Sequence, residues 1–340
     1  MTAMMTVQQL ASEVKRQQQF KRDFVARPWE GFRMHEDGQF LSVGDLAEFP
    51  IGRYAHGDLA EFTEIPRAYY DKMLKDEPEL LARNVNTWLE AQMDQPRLIR
   101  TLEGRTRCVR SNKFRSLDNA DLMEAALPAL YEHPGIKIQS CNMTESRLYL
   151  KAVLPKLEFE VKKGDVVQFG LSISNSEIGQ GSLEAAVFAL RLVCLNGMVI
   201  EDGKFRRSHI GGQLGDDVAA EYFADETRKA ADAAFFLKLR DTVKHLLTEA
   251  ACEEAVERMR RAAGVPIQQR PDKAVKEVGK KLGLAEGEQD SVLDWLIRNG
   301  DLSQWGMVNA ITRAAQEIED YDRATELEKM GGKVLEFARP

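Results

Sequence analysis

Seven cations fall within nineteen residues: Arg97, Arg100, Arg105, Arg107, Arg110, Lys113 and Arg115, against the single anion Glu103. This local charge of +6 stands in a chain of net charge −7, so the remainder is acidic and cannot coat nucleic acid with its whole surface. A strand pair presenting Arg105, Arg107 and Lys113 or Arg115 on one face lines a groove for a phosphate backbone, each contact releasing about one counterion. Phe114 is then placed to stack on a base. The alternative is a solvated strand whose arginines pair with acids of the C-terminal helices. A second cluster, Lys204, Arg206 and Arg207 with Phe205 and His209, lies in a Gly-rich loop ending at Gly211-Gly212. Such a loop either closes backbone N–H groups over an anion or is simply an exposed turn. Arg191 sits in the otherwise apolar stretch Ala185 to Ile200 and needs a partner, for which Glu177 or a phosphate would serve.

For catalysis the sequence offers little. Glu160-Val161-Lys162 matches the Glu-x-Lys half of a metal-dependent nuclease core, in which carboxylates hold Mg²⁺ and a lysine steadies the attacking water. The partner aspartate is missing, since Leu122 to Phe159 contains no Asp, and strand-edge charges explain Glu158, Glu160, Lys162 and Lys163 without chemistry. Gly179 to Ser182 lacks the spacing and the lysine of a nucleotide-binding loop, and Ser208-His209 has no nucleophile elbow around it. Cys108, Cys141, Cys194 and Cys252 are widely separated, with no histidine at zinc-ligand spacing, so buried free thiols are expected. Asn175-Ser176-Glu177 reads as a cap for a turn and for the next element, and Asp118-Asn119 as a helix N-cap. The expectation is thus no catalytic residue, no metal and no cofactor.

The elements that must carry these residues are legible from periodicity. A length of 340 residues suggests roughly two domains, and 44% hydrophobic composition is enough for a real core. An amphipathic helix buries Val7, Leu10 and Val14 and is closed by Pro28 and Gly31; short strands and loops follow from Phe32 to Tyr54. Helices are predicted after Ile65-Pro66, over Glu79–Glu90 and over Asn119–Tyr131. Alternation predicts strands at Ile136–Cys141, Ser146–Leu154, Leu157–Val161 and Val166–Ser174, joined by short hairpins into an antiparallel sheet. Beyond Gly215 the spacing of Phe236, Leu239, Val243, Leu246 and Ala250 predicts one long helix from about Asp217 to Ala263. A short helix around Trp295 follows, and a last one begins after an N-cap at Ser303 and carries Trp305, Val308, Ile311 and Ile318. The fold class is α+β: an antiparallel sheet with packed helices, then a mainly helical C-terminal portion. Residues 1–95 form a mixed N-terminal region, 96–212 the core and 213–340 the helical region. No apolar run approaches the roughly 20 residues that span a bilayer, and the cytoplasm is the expected location.

Several phrases resemble, in order and spacing, the phage- and plasmid-borne proteins of the domain of unknown function 932 family. They are Arg110–Asn119 (RSNKFRSLDN), Ser174–Gly179 (SNSEIG), Arg191–Gly197 (RLVCLNG), Trp305–Ala310 (WGMVNA) and Gly331–Leu335 (GGKVL). The resemblance runs from about Pro96 to Leu335 and implies a mobile-element or prophage source in a bacterial host, with no known catalytic residues. A helix, an antiparallel run of strands and a helix is also the plan of phage single-strand annealing recombinases, an analogy of fold alone. The expected function is DNA binding of the annealing kind, favouring single strands, without ATP or metal, by a homo-oligomer forming rings or filaments. An interaction protein acting on a host defence or replication factor is the second expectation, and a metal-dependent nuclease the third.

Overall fold

The computed structural model describes residues 5–44, 47–207 and 225–338. Its N-terminal helix, α1 (Val7–Phe20), opens with a reciprocal cap: the Thr6 hydroxyl accepts from the Gln9 N–H and the Gln9 side chain accepts from the Thr6 N–H. The helix stops at Phe20, well before Pro28, because Lys21–Ala26 leaves it as strand β1 and pairs antiparallel with a strand some seventy residues later. Strands β2 (Phe32–Met34), β3 (Phe40–Val43) and β4 (Ala47–Pro50) form a small meander. Helices α2 (Arg53–Phe62), α3 (Arg67–Asp76) and α4 (Pro78–Glu90) pack over it.

The basic segment forms the hairpin β5 (Arg97–Leu102) and β6 (Arg105–Ser111), which with β1 makes the three-stranded sheet β1-β5-β6. Alternation gives this sheet two characters. Phe24, Ile99 and Val109 face the N-terminal core, where they join Leu41, Leu59, Tyr70 and Val85. Asp23, Arg100 and Cys108, which stand opposite one another across the strands, face the other way. That second face meets the main domain.

The main domain is a five-stranded antiparallel sheet in the order β11-β10-β9-β8-β7, preceded by helix α5 (Asn119–Tyr131). Its strands are β7 (Lys137–Met143), β8 (Leu148–Lys162), β9 (Asp165–Asn175), β10 (Leu183–Arg191) and β11 (Asn196–Arg207). The two strands predicted on either side of Pro155 are one continuous strand, β8, with an irregularity in its pairing to β9 between Val153 and Glu158. Leu150, Ala152, Phe169, Leu171, Ile173, Ala185 and Val187 point to one face, under α5, α6 (Asp225–Leu246) and α7 (Glu249–Gly264). The single long helix expected from Asp217 is thus two helices in the described part, with Thr248 extended at the N-cap of α7; residues 217–224 lie outside the described residues. The break lets Leu246, Leu247 and Cys252 all reach the core.

Three further helices follow: α8 (Pro271–Leu282), α9 (Glu286–Asn299) and α10 (Gln304–Ala314). Ser303 caps α10 as the sequence indicates, its hydroxyl accepting from the Gly306 N–H at 3.1 Å. The helix ends before Ile318, and a helix that periodicity did not reveal, α11 (Tyr321–Val334), crosses the second face of the main sheet. There Val153, Phe188, Leu190 and Val199 form a small apolar cluster, and Gly332 sits so close that a Cβ would lie 2.0 Å from the Val199 carbonyl oxygen. No helix among the described residues is long and apolar enough to cross a membrane.

Candidate nucleic-acid interface

The 175–182 loop between β9 and β10 is the point on which the basic side chains converge. It turns sharply because Gly179 (φ +75°) and Gly181 (φ +147°) take conformations that side-chain-bearing residues rarely adopt. Ser176 braces the turn, its hydroxyl accepting from the Gln180 N–H at 2.8 Å. Glu177, fully buried, accepts from Arg107 Nη1 at 2.8 Å, from Lys21 Nζ, and from the Asn119 N–H at 2.8 Å. The last contact places a carboxylate on the N-terminus of α5, where the helix dipole and free N–H groups favour an anion. Asp118 holds the N-cap position but makes no capping bond; its carboxylate accepts from Arg100 Nη2 at 2.7 Å instead. Burial pushes the Glu177 carboxyl up, and the Lys21 ammonium and Arg107 guanidinium more than reverse this, holding it at about 2.

Two arginines of the β5–β6 segment grip the loop backbone. Arg100 Nη1 donates to the Glu177 carbonyl at 2.7 Å while its Nε pairs with Asp23. Arg110 donates through Nε and Nη2 to the Ile178 carbonyl at 2.9 and 2.6 Å and pairs with Asp58 at 3.2 Å. Burial drives the Asp58 carboxyl up to about 7 against the pull of Arg110 and of the Val109 N–H it accepts. From the neighbouring edge strand β11, Arg206 donates through Nε to the Ser182 hydroxyl at 2.9 Å, with Glu184 at 3.4 Å. Arg147, on the turn before β8, donates to the Gln180 carbonyl.

The twelve residues singled out by sequence therefore separate by role. Arg97 is buried under the Phe62 ring, 3.9 Å from its centroid, and donates to Gln92 and Gln95. Arg100 and Phe114 are buried as well; the Phe114 ring packs against Gly179 and Arg110, so the base-stacking role expected of it gives way to packing. Arg191 makes a bidentate pair with Asp165 at 2.6 and 2.9 Å, and the partner is neither Glu177 nor an open anion site. Arg115 pairs with Asp232 of α6 at 2.5 Å, a contact to the C-terminal helices of the kind the solvated-strand alternative expects. Arg105 is exposed at the hairpin tip beside Gly52, and Lys113 is exposed. Arg206 keeps 57% of its side chain exposed. The side chains of Lys204 and Arg207, and all of His209, Gly211 and Gly212, lie outside the described residues.

Lys21 and Arg147 carry no signal in the sequence: Lys21 stands beside Arg22 where a helix gives way to a strand, and Arg147 is a lone cation in mixed sequence. The Glu-x-Lys half-motif has structural occupations: Glu160 accepts from the Gly164 N–H and Lys162 pairs with Asp301.

A family model described as Domain of unknown function (DUF932) matches residues 108–329, well over half of the chain. The chain belongs to this family. The family match opens within β6 and closes within α11, so the 175–182 loop, Glu177 and both arginines that approach from the main sheet fall inside it, while most of the N-terminal core precedes it. No curated protein and no solved structure matches the chain.

Proposed function

We propose that this protein binds nucleic acid, single-stranded DNA in preference to duplex, at the end of the main sheet around the 175–182 loop, as an annealing-type protein of a phage or mobile element. The observation that carries the reading is convergence: Arg110 and Arg206, 96 positions apart in sequence, reach the same loop from different strands, with Lys113 close by in sequence to the first. The order helix, antiparallel meander, helix supports it as fold analogy only. An annealing protein of this kind needs no ATP or metal. It cancels phosphate repulsion while strands pair by complementarity, and assembles into a homo-oligomer because one site covers only a few nucleotides.

The buried pairs limit the affinity. Asp23 and Asp118 pair with Arg100, Glu177 with Arg107 and Asp58 with Arg110, so Arg110 holds the loop in place while the exposed Lys113 and Arg206 reach phosphate. Two or more such contacts to a single strand give a salt slope of about −1.4 or steeper, so binding falls by roughly 7-fold or more between 50 and 200 mM salt. Fluorescence anisotropy with labelled single-stranded and duplex oligonucleotides across that range tests this. The expected result is tighter single-strand binding with a shallow slope, flattened further in Lys113→Ala/Arg206→Ala. No binding at the lowest salt, or equal binding to duplex, overturns the proposal.

One observation favours a second reading, a protein partner on the N-terminal core. Trp29 and Trp88 are 61% and 51% exposed there, and a contact built on such apolar anchors keeps its strength as salt rises.

A further inference from the structure

Arg147 differs from every other arginine at this end of the sheet. Arg100, Arg107, Arg110, Arg115 and Arg206 each have a carboxylate within ion-pair distance. Arg147 has none among the described residues; its guanidinium is met only by the Gln180 carbonyl, through Nε at 2.8 Å and through Nη2. Glu145, in the same turn, is exposed and forms no ion pair with it, and Asp322, beside the turn, is taken by the hydroxyls of Thr144 and Ser146 at 2.9 and 2.5 Å. Those hydroxyls and the Arg147 N–H, which donates to Thr144 Oγ1 at 3.0 Å, fix the turn that presents the side chain.

The guanidinium lies directly on the loop backbone. A Cβ at Gly181 would come within 1.9 Å of Arg147 Nη2 and 2.2 Å of its central carbon, so glycine there is what allows the plane to settle. A guanidinium carries five N–H donors in a fixed fork, and the Gln180 carbonyl engages two, leaving three for a second acceptor. A half-buried cation without a counter-ion is unfavourable, and an oxyanion of matching geometry relieves it. Arg206 anchors Ser182, two residues further along the same loop and hence within about 7 Å along the chain.

We infer that Arg147, seated on Gly181 and flanked by Arg206, is a phosphate-binding residue, taking a phosphodiester or a free phosphate group in a bidentate fork. The diester source rests on the nucleic-acid reading above; the site itself does not.

The test uses the full chain, with labelled oligothymidylate read by anisotropy and pyrophosphate read by thermal shift. Arg147→Lys keeps the charge and one bond to Gln180 but loses the fork, so oligonucleotide binding should weaken about tenfold with its salt slope unchanged. Arg147→Ala should also flatten the slope by about 0.7. Should the alanine variant fail to fold, the lysine variant alone decides. If wild type binds the oligonucleotide and Arg147→Lys binds it equally well, the assignment is wrong while the nucleic-acid reading stands. If wild type binds no oligonucleotide but is stabilised by pyrophosphate, and Arg147→Lys is not, the nucleic-acid reading falls and the phosphate site stands. If neither ligand acts on wild type, both fall.

Discussion

Replacing Glu177 by Gln removes the charge on which the junction between the two cores depends while keeping shape and one acceptor. The amide oxygen can still accept from the Asn119 N–H and the Lys21 ammonium, but its NH₂ group then faces the Arg107 guanidinium, and both largely buried cations lose their counter-charge. Breaking a buried pair in this way costs about 3–5 kcal/mol. The depression of the carboxyl from 4.5 to about 2 corresponds to about 3 kcal/mol, which agrees in order of magnitude. Urea unfolding at pH 7 should show a midpoint lower by about 1 M, taking a slope near 3 kcal/mol per M. The sign with pH follows from a depressed folded-state value. The stabilisation is fully present above pH about 4.5 and is lost as pH falls through about 2, so the gap between wild type and variant should close over that window. Hydrogen exchange should quicken at the Asn119 amide and along β6. An unchanged midpoint at pH 7, or a gap that persists undiminished toward pH 2, would refute the junction role of Glu177.

Asp58 has the opposite sign: its raised folded value makes its contribution full below pH about 4 and lost as pH rises through about 7, by up to about 1.4 kcal/mol per unit. Asp58→Asn, which mimics the protonated acid, should flatten that slope in pH-dependent thermal unfolding. Arg191→Ala leaves Asp165 buried with, among the described side chains, Trp305 Nε1 alone bonding it at 2.9 Å, and a loss of about 3–5 kcal/mol is expected by denaturant unfolding. Gly332→Ala forces α11 off the Val199 carbonyl; a loss of about 1–3 kcal/mol, with faster exchange in β11, is the expected result.

Local rules recovered most of the frame. Helix α5 matches its sequence-based bounds, the β8–β9 alternation and its short hairpin stand as expected, and Ser303 caps α10, because each depends on neighbours a few residues away. Strand β1 was missed because its partner lies beyond a whole core, and Lys21-Arg22-Asp23-Phe24 has no strand signature alone. Helix α11 is poorly legible because its sheet-facing side is polar and small, Tyr321, Glu328 and Gly332 meeting the sheet through Lys151 and the Val199 carbonyl, which leaves only Leu327, Met330 and Val334 as a short apolar stripe. At the site, the sequence marked the cations but not their acids. Glu177 lies 70 positions from Arg107, and only the fold brings them to 2.8 Å. The unusual local charge was therefore a sign of a buried ionic junction as much as of an open surface.

The most direct measurement is hydrogen exchange of the full chain with and without a saturating single-stranded oligonucleotide. Protection confined to residues 110–115, 144–147, 176–182 and the C-terminal end of β11 is the expected result. Protection elsewhere, for instance around Trp29 and Trp88, or none at saturation, would contradict a nucleic-acid site at this end of the sheet.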